Sequence, residues 1–199
     1  MTKIERAIER SEVERKLYTL VQQKMEEAEK FRLMTYLDPL TTMWNRTYFE
    51  NQVNLYLQEK DPKGFFFILD IDNFKQINDA LGHTKGDQVL LQLAEVLKKA
   101  QTESVLTARL AGDEFLIFLK NVADSEYASL LAESVIMEIS GINVENDSNI
   151  SVSMGISSVG QNTENFSELY RQADQALYEA KRHGKADYNF YGMLMKKEA

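Results

Sequence analysis

Acidic side chains stand beside two strongly apolar segments of this sequence. Asp70 follows the five apolar residues of GFFFIL, and Asp113 and Glu114 interrupt the segment RLAGDEFLIFL. A carboxylate among apolar residues is costly unless it is solvated or used. Three carboxylates brought together repel one another, and a hard divalent cation with oxygen ligands is the usual resolution. The pattern therefore suggests a metal site, and its alternative is a solvated hairpin loop, because acids at strand ends are commonly just exposed.

The composition is typical of one folded domain with an appendage. The chain has 199 residues, of which 44% are hydrophobic and 27% charged, with a net charge of -8 and no cysteine. This negative charge argues against binding a nucleic-acid duplex, which needs a basic surface. No apolar run approaches the roughly 20 residues that span a bilayer. With no signal peptide either, we expect no membrane segment in this chain and a cytoplasmic location.

The amino-terminal segment predicts a long helix. Residues 2–36 contain no Gly or Pro, their apolar residues recur mostly every three or four positions, and Pro39 disfavours helix at Asp38. Such a helix is roughly 50 Å long, too long to bury its apolar stripe on a domain of this size. We therefore assign 1–36 as a signalling helix that forms a coiled-coil homodimer. Packing on its own domain is the alternative.

Residues 37–199 predict an α+β domain with a central, mostly antiparallel sheet flanked by helices. The expected elements are a helix (45–60), a buried strand (64–71), two helices (73–81 and 86–100), a hairpin (105–120), a helix (124–140), a strand (150–159), a helix (166–182) and a short strand (188–192). Asp72 is expected to cap the helix that follows the first strand. If that strand lies beside the hairpin, Asp70 and the acidic hairpin tip become neighbours.

Four segments give a more specific indication. DPLTTMWNR, LDIDNFKQINDALGHTKGDQVL, ARLAGDEFLIFL and ADQALYEAKRHGK occur in this order between about residues 38 and 192. Together they closely resemble the GGDEF family of diguanylate cyclases, and four separated segments in register are a far stronger signal than one short motif. The resemblance implies a palm-like fold that condenses two GTP molecules into cyclic di-GMP and releases two pyrophosphates.

The resemblance also implies roles for the acidic residues. Asp70, the backbone carbonyl of Ile71 and Asp113 would coordinate Mg2+ or Mn2+. Glu114 would be a further metal ligand or the base for the 3'-hydroxyl, and Asp113 and Glu114 are the expected catalytic residues. Two metal ions can lower the pKa of the attacking hydroxyl and neutralise charge on the leaving pyrophosphate.

Further residues are expected to bind the substrate. By resemblance these are Phe74, Lys75, Asn78, His83, Asp87, Lys181 and Lys185. Asp87 can accept hydrogen bonds from both N1-H and the 2-amino group of guanine, which favours GTP over ATP. The lysines would contact phosphates. Structural alternatives remain: helix capping for Asn78 and Asp87, a loop role for His83, and solvated helix ends for Lys181 and Lys185.

Several positions depart from the family pattern. Ala111 replaces the leading glycine of the signature, which is harmless at negative φ and strained in a left-handed conformation. Lys185 stands where arginine is usual, so a bidentate phosphate contact is lost. The family's product-inhibition site would fall on Thr102 and Val105, which predicts no inhibition through it. Ala186 lacks the side-chain amide that the family often has there.

The expected function is therefore a diguanylate cyclase that works as a homodimer. Dimerisation would occur through the amino-terminal helix and, transiently, between facing catalytic domains, with a possible upstream sensor domain or protein supplying the signal. The alternative is a catalytically weak or inactive GTP-binding module that regulates a partner, which the changes at Ala111 and Lys185 would favour.

Overall fold

The computed structural model describes residues 3–145, 148–160, 163 and 165–192. Contacts between Cα atoms divide the chain into two compact units, Met1–Leu37 and Asp38–Ala199. The described helices are α1 (Lys3–Met34), α2 (Arg46–Tyr56), α3 (Phe74–Leu81), α4 (His83–Ala100), α5 (Ser125–Ser140) and α6 (Phe166–Arg182). The described strands are β1 (Gly64–Ile71), β2 (Val105–Ala111), β3 (Glu114–Lys120), β4 (Asn143–Glu145), β5 (Ser148–Asn149), β6 (Val152–Val159) and β7 (Tyr188–Phe190).

The first unit consists mainly of α1. Its side chains at positions 15–28 are exposed. Several are large and apolar, namely Leu17, Tyr18, Leu20, Val21 and Met25. Across the part of the chain that the structure describes, no helix combines the length and apolarity that a membrane span requires.

The second unit is built on a five-stranded sheet with the strand order β2-β3-β1-β6-β7. All neighbouring strands are antiparallel except β6 and β7. Side chains alternate between the two faces of β1. Phe67 and Leu69 pack in the cluster that includes residues of α4 and α5, whereas Phe66 and Ile68 pack in the cluster that includes residues of α2 and α6. The sheet is therefore covered on both faces, and the predicted α+β architecture is confirmed.

Gly155 allows α6 to approach the sheet closely. A Cβ on this residue of β6 would collide with the carbonyl oxygen of Ala173 and the backbone nitrogen of Leu177, both in α6. The missing side chain therefore sets how near the helix lies to β6. Because Lys181 is on the same helix, this contact also determines where that lysine lies relative to the end of β1.

Besides shifts in the bounds of some elements, the structure differs from the sequence-based expectations in two places. β4 and β5 form a small separate sheet that was not predicted. The predicted capping role of Asp72 is wrong: Asn73 precedes α3 in a left-handed conformation, with φ of 59°, and makes no side-chain cap. Asp72 is instead buried, and its carboxylate accepts hydrogen bonds from Ser151 and Ser153.

Candidate active site

Asp70 and Glu114 lie opposite each other on neighbouring strands. In the antiparallel pairing of β1 with β3, Asp70 is the direct partner of Glu114. Cβ atoms of such partners are about 4.5–5.5 Å apart and point to the same face. Asp113 occupies the tip that joins β2 to β3, immediately before Glu114. The fold thus brings together the three carboxylates that the sequence singled out.

Burial and repulsion between neighbouring carboxylates both act on the pKa values of this group. Burial raises the pKa of Asp70 above its ordinary value of 3.8; Lys181 opposes this shift, and Asp113 and Asp72 add to it. Burial also raises the pKa of Glu114 above its ordinary value of 4.5. Repulsion from Asp70, Asp113 and Asp174 raises this pKa further, as a smaller cause than burial. Mutual repulsion among carboxylates makes this end of the sheet favourable for a cation.

Lys181 forms an ion pair with one of these carboxylates. Its Nζ atom lies 2.6 Å from Oδ1 of Asp70, and the side chains are 33% and 15% exposed, respectively. The last turn of α6 therefore ends beside the metal-binding position expected at the end of β1. The ammonium group of Lys181 thus contacts a predicted metal ligand.

The hairpin tip has the backbone conformation that its sequence requires. Gly112 has φ of +55°, whereas Ala111 keeps a negative φ and pairs with Glu114. The methyl group of Ala111 is therefore not strained, and the left-handed position falls on the glycine. Nε and Nη2 of Arg109 donate to the carbonyl oxygen of Gly112 over 3.1 and 2.8 Å. This double contact fixes the turn that carries both acids.

A divalent cation fits the chemistry of this donor set. Carboxylate and carbonyl oxygens are the ligands that Mg2+ prefers, and two of the carboxylates here have pKa values raised partly by mutual repulsion. In the described residues, no three side chains of His, Cys, Asp or Glu are yet arranged to hold a metal ion. The expected metal ligands also include the backbone carbonyl of Ile71, so two or three carboxylates would be enough to complete the ligand set.

A cavity of about 640 Å³ opens beside the carboxylates. Its lining includes Asp70, Glu114, Lys181 and, from the preceding turns of α6, Asp174 and Tyr178. Sequence reasoning missed Asp174 as a neighbour of Glu114. The sequence did contain a signal for this position. Asp174 lies seven residues before Lys181 in ADQALYEAK, and residues seven apart share one face of a helix.

The residues expected to read guanine lie on α3 and α4. A Cβ on Gly86 would collide with Oδ1 of Asn78 and would meet the ring of Phe74 at 3.3 Å. Gly86 therefore gives the Asn78 amide its place between the two helices. Asp87 follows Gly86 with an exposed side chain, and His83, the first residue of α4, is also exposed.

Two further lysines are predicted to bind phosphate, Lys185 in the loop after α6 and Lys75 on α3. Nζ of Lys185 donates to Oδ1 of Asn73 over 2.7 Å, which links the loop after α6 to the loop after β1. Lys75 is exposed on the first turn of α3. The structure therefore places Lys185 in contact with the loop that follows Asp70, and the roles of both lysines stay predictions.

The segment expected to lack a product-inhibition site is a local turn. Oγ1 of Thr102 accepts hydrogen bonds from the backbone nitrogens of Ser104 and Val105 over 3.2 and 3.1 Å. Val105 is 8% exposed and belongs to the core. The Thr102 side chain therefore stabilises a turn and the Val105 side chain packs in the core. Neither carries a charge that could pair with a guanine nucleotide.

Comparison with known proteins identifies the family. The family model for the diguanylate cyclase GGDEF domain matches residues 35–187. The chain therefore belongs to the GGDEF family, the catalytic domains of the diguanylate cyclases, and this class of domain is a nucleotidyl cyclase.

Among individual relatives, it is 35% identical over 154 residues to the probable diguanylate cyclase DgcT of Escherichia coli, a match that covers 74% of this chain and 34% of DgcT. It is also 35% identical over 155 residues to the diguanylate cyclase TpbB of Pseudomonas aeruginosa, covering 74% of this chain and 35% of TpbB. The chain spans about a third of the length of these relatives.

Solved structures of the same family share the fold. The coiled coil and GGDEF domain of DgcB from Caulobacter crescentus, solved in complex with c-di-GMP, superimposes with a TM-score of 0.79 at 27% identity, covering 95% of this chain and 100% of that one. The diguanylate cyclase SiaD of Pseudomonas aeruginosa, solved with its activator SiaC, gives a TM-score of 0.74 at 26% identity, covering 94% and 74%.

Proposed function

We propose that this chain is a diguanylate cyclase module that condenses two GTP molecules into cyclic di-GMP. The observation that carries the proposal is the pairing of Asp70 with Glu114 at the end of β1, next to Asp113 and within reach of Lys181. Family membership supplies the class of reaction, and this geometry supports the assignment of the reacting centre to these side chains.

In the proposed mechanism, each domain holds one GTP and two domains face each other. The 3'-oxygen of one GTP attacks the α-phosphorus of the other, the bond to the β-phosphate oxygen breaks, and pyrophosphate leaves. The same step in the opposite direction closes the ring, so two pyrophosphates are released in total. Glu114 accepts the proton of the attacking hydroxyl or helps to hold the cation beside it.

The divalent ions would be held by Asp70, Asp113, Glu114 and the carbonyl of Ile71, and when bound they supply charge neutralisation at the reacting phosphate. Lys181 and Lys185 contact the phosphates. Since Lys181 now pairs with Asp70, binding of a cation to Asp70 would free its ammonium group for a phosphate oxygen.

On the other side of the site, Asp87 accepts hydrogen bonds from N1-H and the 2-amino group of guanine, with Asn78 beside it. Phe74, Lys75 and His83 belong to the same pair of helices and complete the expected nucleotide contacts. The proposed substrate is therefore GTP rather than ATP, because adenine lacks this pair of donors.

The arm helix α1 is proposed to hold two copies together. Its described apolar side chains from Leu17 to Met25 are largely exposed, and DgcB was solved with a coiled coil attached to its GGDEF domain. A dimer would supply the second GTP-bearing domain that the reaction needs. The signal that acts on the arm would come from a sensor domain or protein outside this chain, in the manner of the activator that binds SiaD.

The test is incubation with GTP and Mg2+, followed by chromatography of the nucleotides. We expect cyclic di-GMP from the wild type and none from Glu114→Gln, whose carboxamide is nearly the same size but cannot accept the proton or hold the cation equally well. Circular dichroism and thermal unfolding serve as the check on folding. Normal product formation by a folded Glu114→Gln variant would contradict the assigned role.

A GTP-binding regulatory module is the second candidate. One observation that favours it is the hydrogen bond from Lys185 to Asn73, which engages an ammonium group expected to bind phosphate. In addition, lysine cannot form the bidentate phosphate contact of arginine. This candidate predicts GTP binding without cyclic di-GMP, even at high protein concentration. The same incubation, combined with calorimetric titration of GTP, distinguishes the two functions.

A further inference from the structure

Asp72 has no role in the reaction as described above, yet its surroundings are unusual. The residue is 5% exposed, and both carboxylate oxygens are hydrogen-bonded. Oδ1 accepts from Oγ of Ser153 over 2.7 Å, and Oδ2 accepts from Oγ of Ser151 over 2.7 Å and from the backbone nitrogen of Ala186 over 3.1 Å. A buried carboxylate is retained at a cost unless its hydrogen bonds compensate for lost hydration.

These hydrogen bonds join three separate parts of the domain. Asp72 directly follows β1, the serines lie at the beginning of β6, and Ala186 lies in the loop between α6 and β7. Two residues of this loop, Lys185 and Ala186, have left-handed backbone conformations, with φ of 64° and 52°. Residues with side chains adopt such conformations only when the surroundings impose them.

This loop carries one predicted phosphate-binding residue and closely follows another. Lys185 comes directly before Ala186 and Lys181 comes five residues before it, whereas Asp70 and Ile71 are the two residues before Asp72. The contact of Lys185 with Asn73 joins the same two loops through their side chains. A displacement of residues 184–186 would therefore move Lys185 away from the place where the phosphates meet the cation.

We infer that Asp72 is a positioning residue that holds the Lys185 loop against the metal-binding end of β1. It acts through the main chain of Ala186 and does not touch the substrate. This inference rests on the proposed function for its purpose, since it assumes that Lys185 binds a GTP phosphate. The tether itself is a property of the folded chain alone.

The tether is measured without nucleotide. Amide hydrogen exchange of Ala186 should be slow in the wild type and about tenfold faster or more in Asp72→Asn and in Ser153→Ala, because each weakens the carboxylate network. Ser157→Ala is the matched control: this buried serine of β6 donates to the carbonyl of Leu169 over 2.8 Å, away from the loop. Equal exchange at Ala186 in all four proteins would overturn the inference.

The positioning role is measured by a double-mutant cycle on nucleotide affinity. The probe is the α,β-methylene analogue of GTP with Mg2+, which cannot release pyrophosphate. We expect Asp72→Asn to weaken its binding about tenfold, and Lys185→Ala to weaken binding clearly in the wild type and little in the Asp72→Asn background. Ser153→Ala provides the same comparison should Asp72→Asn fail to fold.

The possible results are distinguishable. Suppose that the wild type binds the analogue and that Lys185→Ala lowers the affinity by the same factor in both backgrounds. Asp72 then does not position Lys185, and the inference is overturned while the proposed function stands. If the wild type does not bind the analogue, the proposed function fails, and the purpose assigned to the tether fails with it. A loss of stability alone would not produce the expected non-additivity.

Discussion

Arg109 and Asp38 form an ion pair that connects the acidic hairpin to the beginning of the domain. Nη1 of Arg109 lies 3.0 Å from Oδ1 of Asp38, and the side chains are only 10% and 18% exposed. The same carboxylate oxygen accepts from the backbone nitrogen and hydroxyl of Thr41 over 2.8 and 2.7 Å. Since Arg109 also holds the carbonyl of Gly112, one guanidinium group spans from the segment DPLT to the tip.

Arg109→Lys is expected to lower turnover about tenfold or more, because a single ammonium group cannot bind Gly112 and Asp38 in the same fork geometry. Affinity for the GTP analogue should change less, since the predicted guanine contacts are elsewhere. Initial rates and titrations check this prediction. Arg182→Lys is the control, because Arg182 is exposed and lies over the ring of Tyr178 at 5.7 Å. Equal rates in the two variants would contradict a role in turnover for the paired contacts of the Arg109 guanidinium group with Gly112 and Asp38.

Asp38 is expected to make stability depend on pH in the acid range. Burial acts to raise the pKa of Asp38, but hydrogen bonds from Thr41 and Arg109 outweigh it, so that the pKa lies below the ordinary value of 3.8. The ionised form therefore stabilises the fold above the unfolded pKa, and this contribution disappears as pH falls through the lower, folded pKa.

The measurement for Asp38 is urea unfolding of the wild type and Asp38→Asn. The free energy of unfolding of the variant should be lower at pH 7, and the difference between the two proteins should shrink below a pH of about 4. Taking the difference removes the effects of the other carboxyl groups. A difference that stays constant from pH 7 to pH 3 would contradict the assignment.

Gly86→Ala is expected to weaken GTP binding about tenfold and leave the fold intact. The new methyl group would collide with the amide oxygen of Asn78, which can rotate away and then no longer lies where the base is proposed to bind, at a cost of about one hydrogen bond. Gly160→Ala is the control, because its Cβ would meet open space. Titration with the GTP analogue checks both, and unchanged affinity of Gly86→Ala would remove Asn78 from the proposed guanine site.

Removal of residues 1–36 is expected to lower specific activity at low protein concentration and to leave it nearly normal at high concentration. The proposed reaction needs two domains, and a coiled coil would keep them together where free domains separate. A dilution series of the full chain and the truncated chain measures this effect. Parallel concentration dependence of the two proteins would show that α1 does not hold the active dimer.

The sequence predicted the parts of this fold that rest on strong local patterns. The apolar run of β1, the hairpin at 105–120 and the periodicity of α6 each define an element. The adjacency of Asp70 to the acidic tip was expected only on the condition that β1 lies beside the hairpin, and the sheet order meets this condition. Asp72 escaped prediction because a carboxylate before a helix resembles a cap. Its actual partners, Ser151 and Ser153, are 79 and 81 residues away, and no local rule reports such a contact.

The candidate site was predicted in the same uneven way. Residues to which the family resemblance assigns a role were found by their motif. Arg109, Asp174 and Gly86 lie in the same segments but matter through their neighbours, and they were not singled out. Ala111 shows the reverse case: a departure from the motif that raised doubt is accommodated, because the left-handed position belongs to Gly112.

The hydrogen bond from Ala186 to Asp72 has a consequence for reading related sequences. The donor is a peptide nitrogen, so the hydrogen bond itself needs no particular side chain at that position, and a comparison of side chains would class the position as unimportant. Proline alone has no hydrogen to give and cannot adopt a positive φ. At position 186, this contact is thus recorded in the sequence only as the residue that must not occur there.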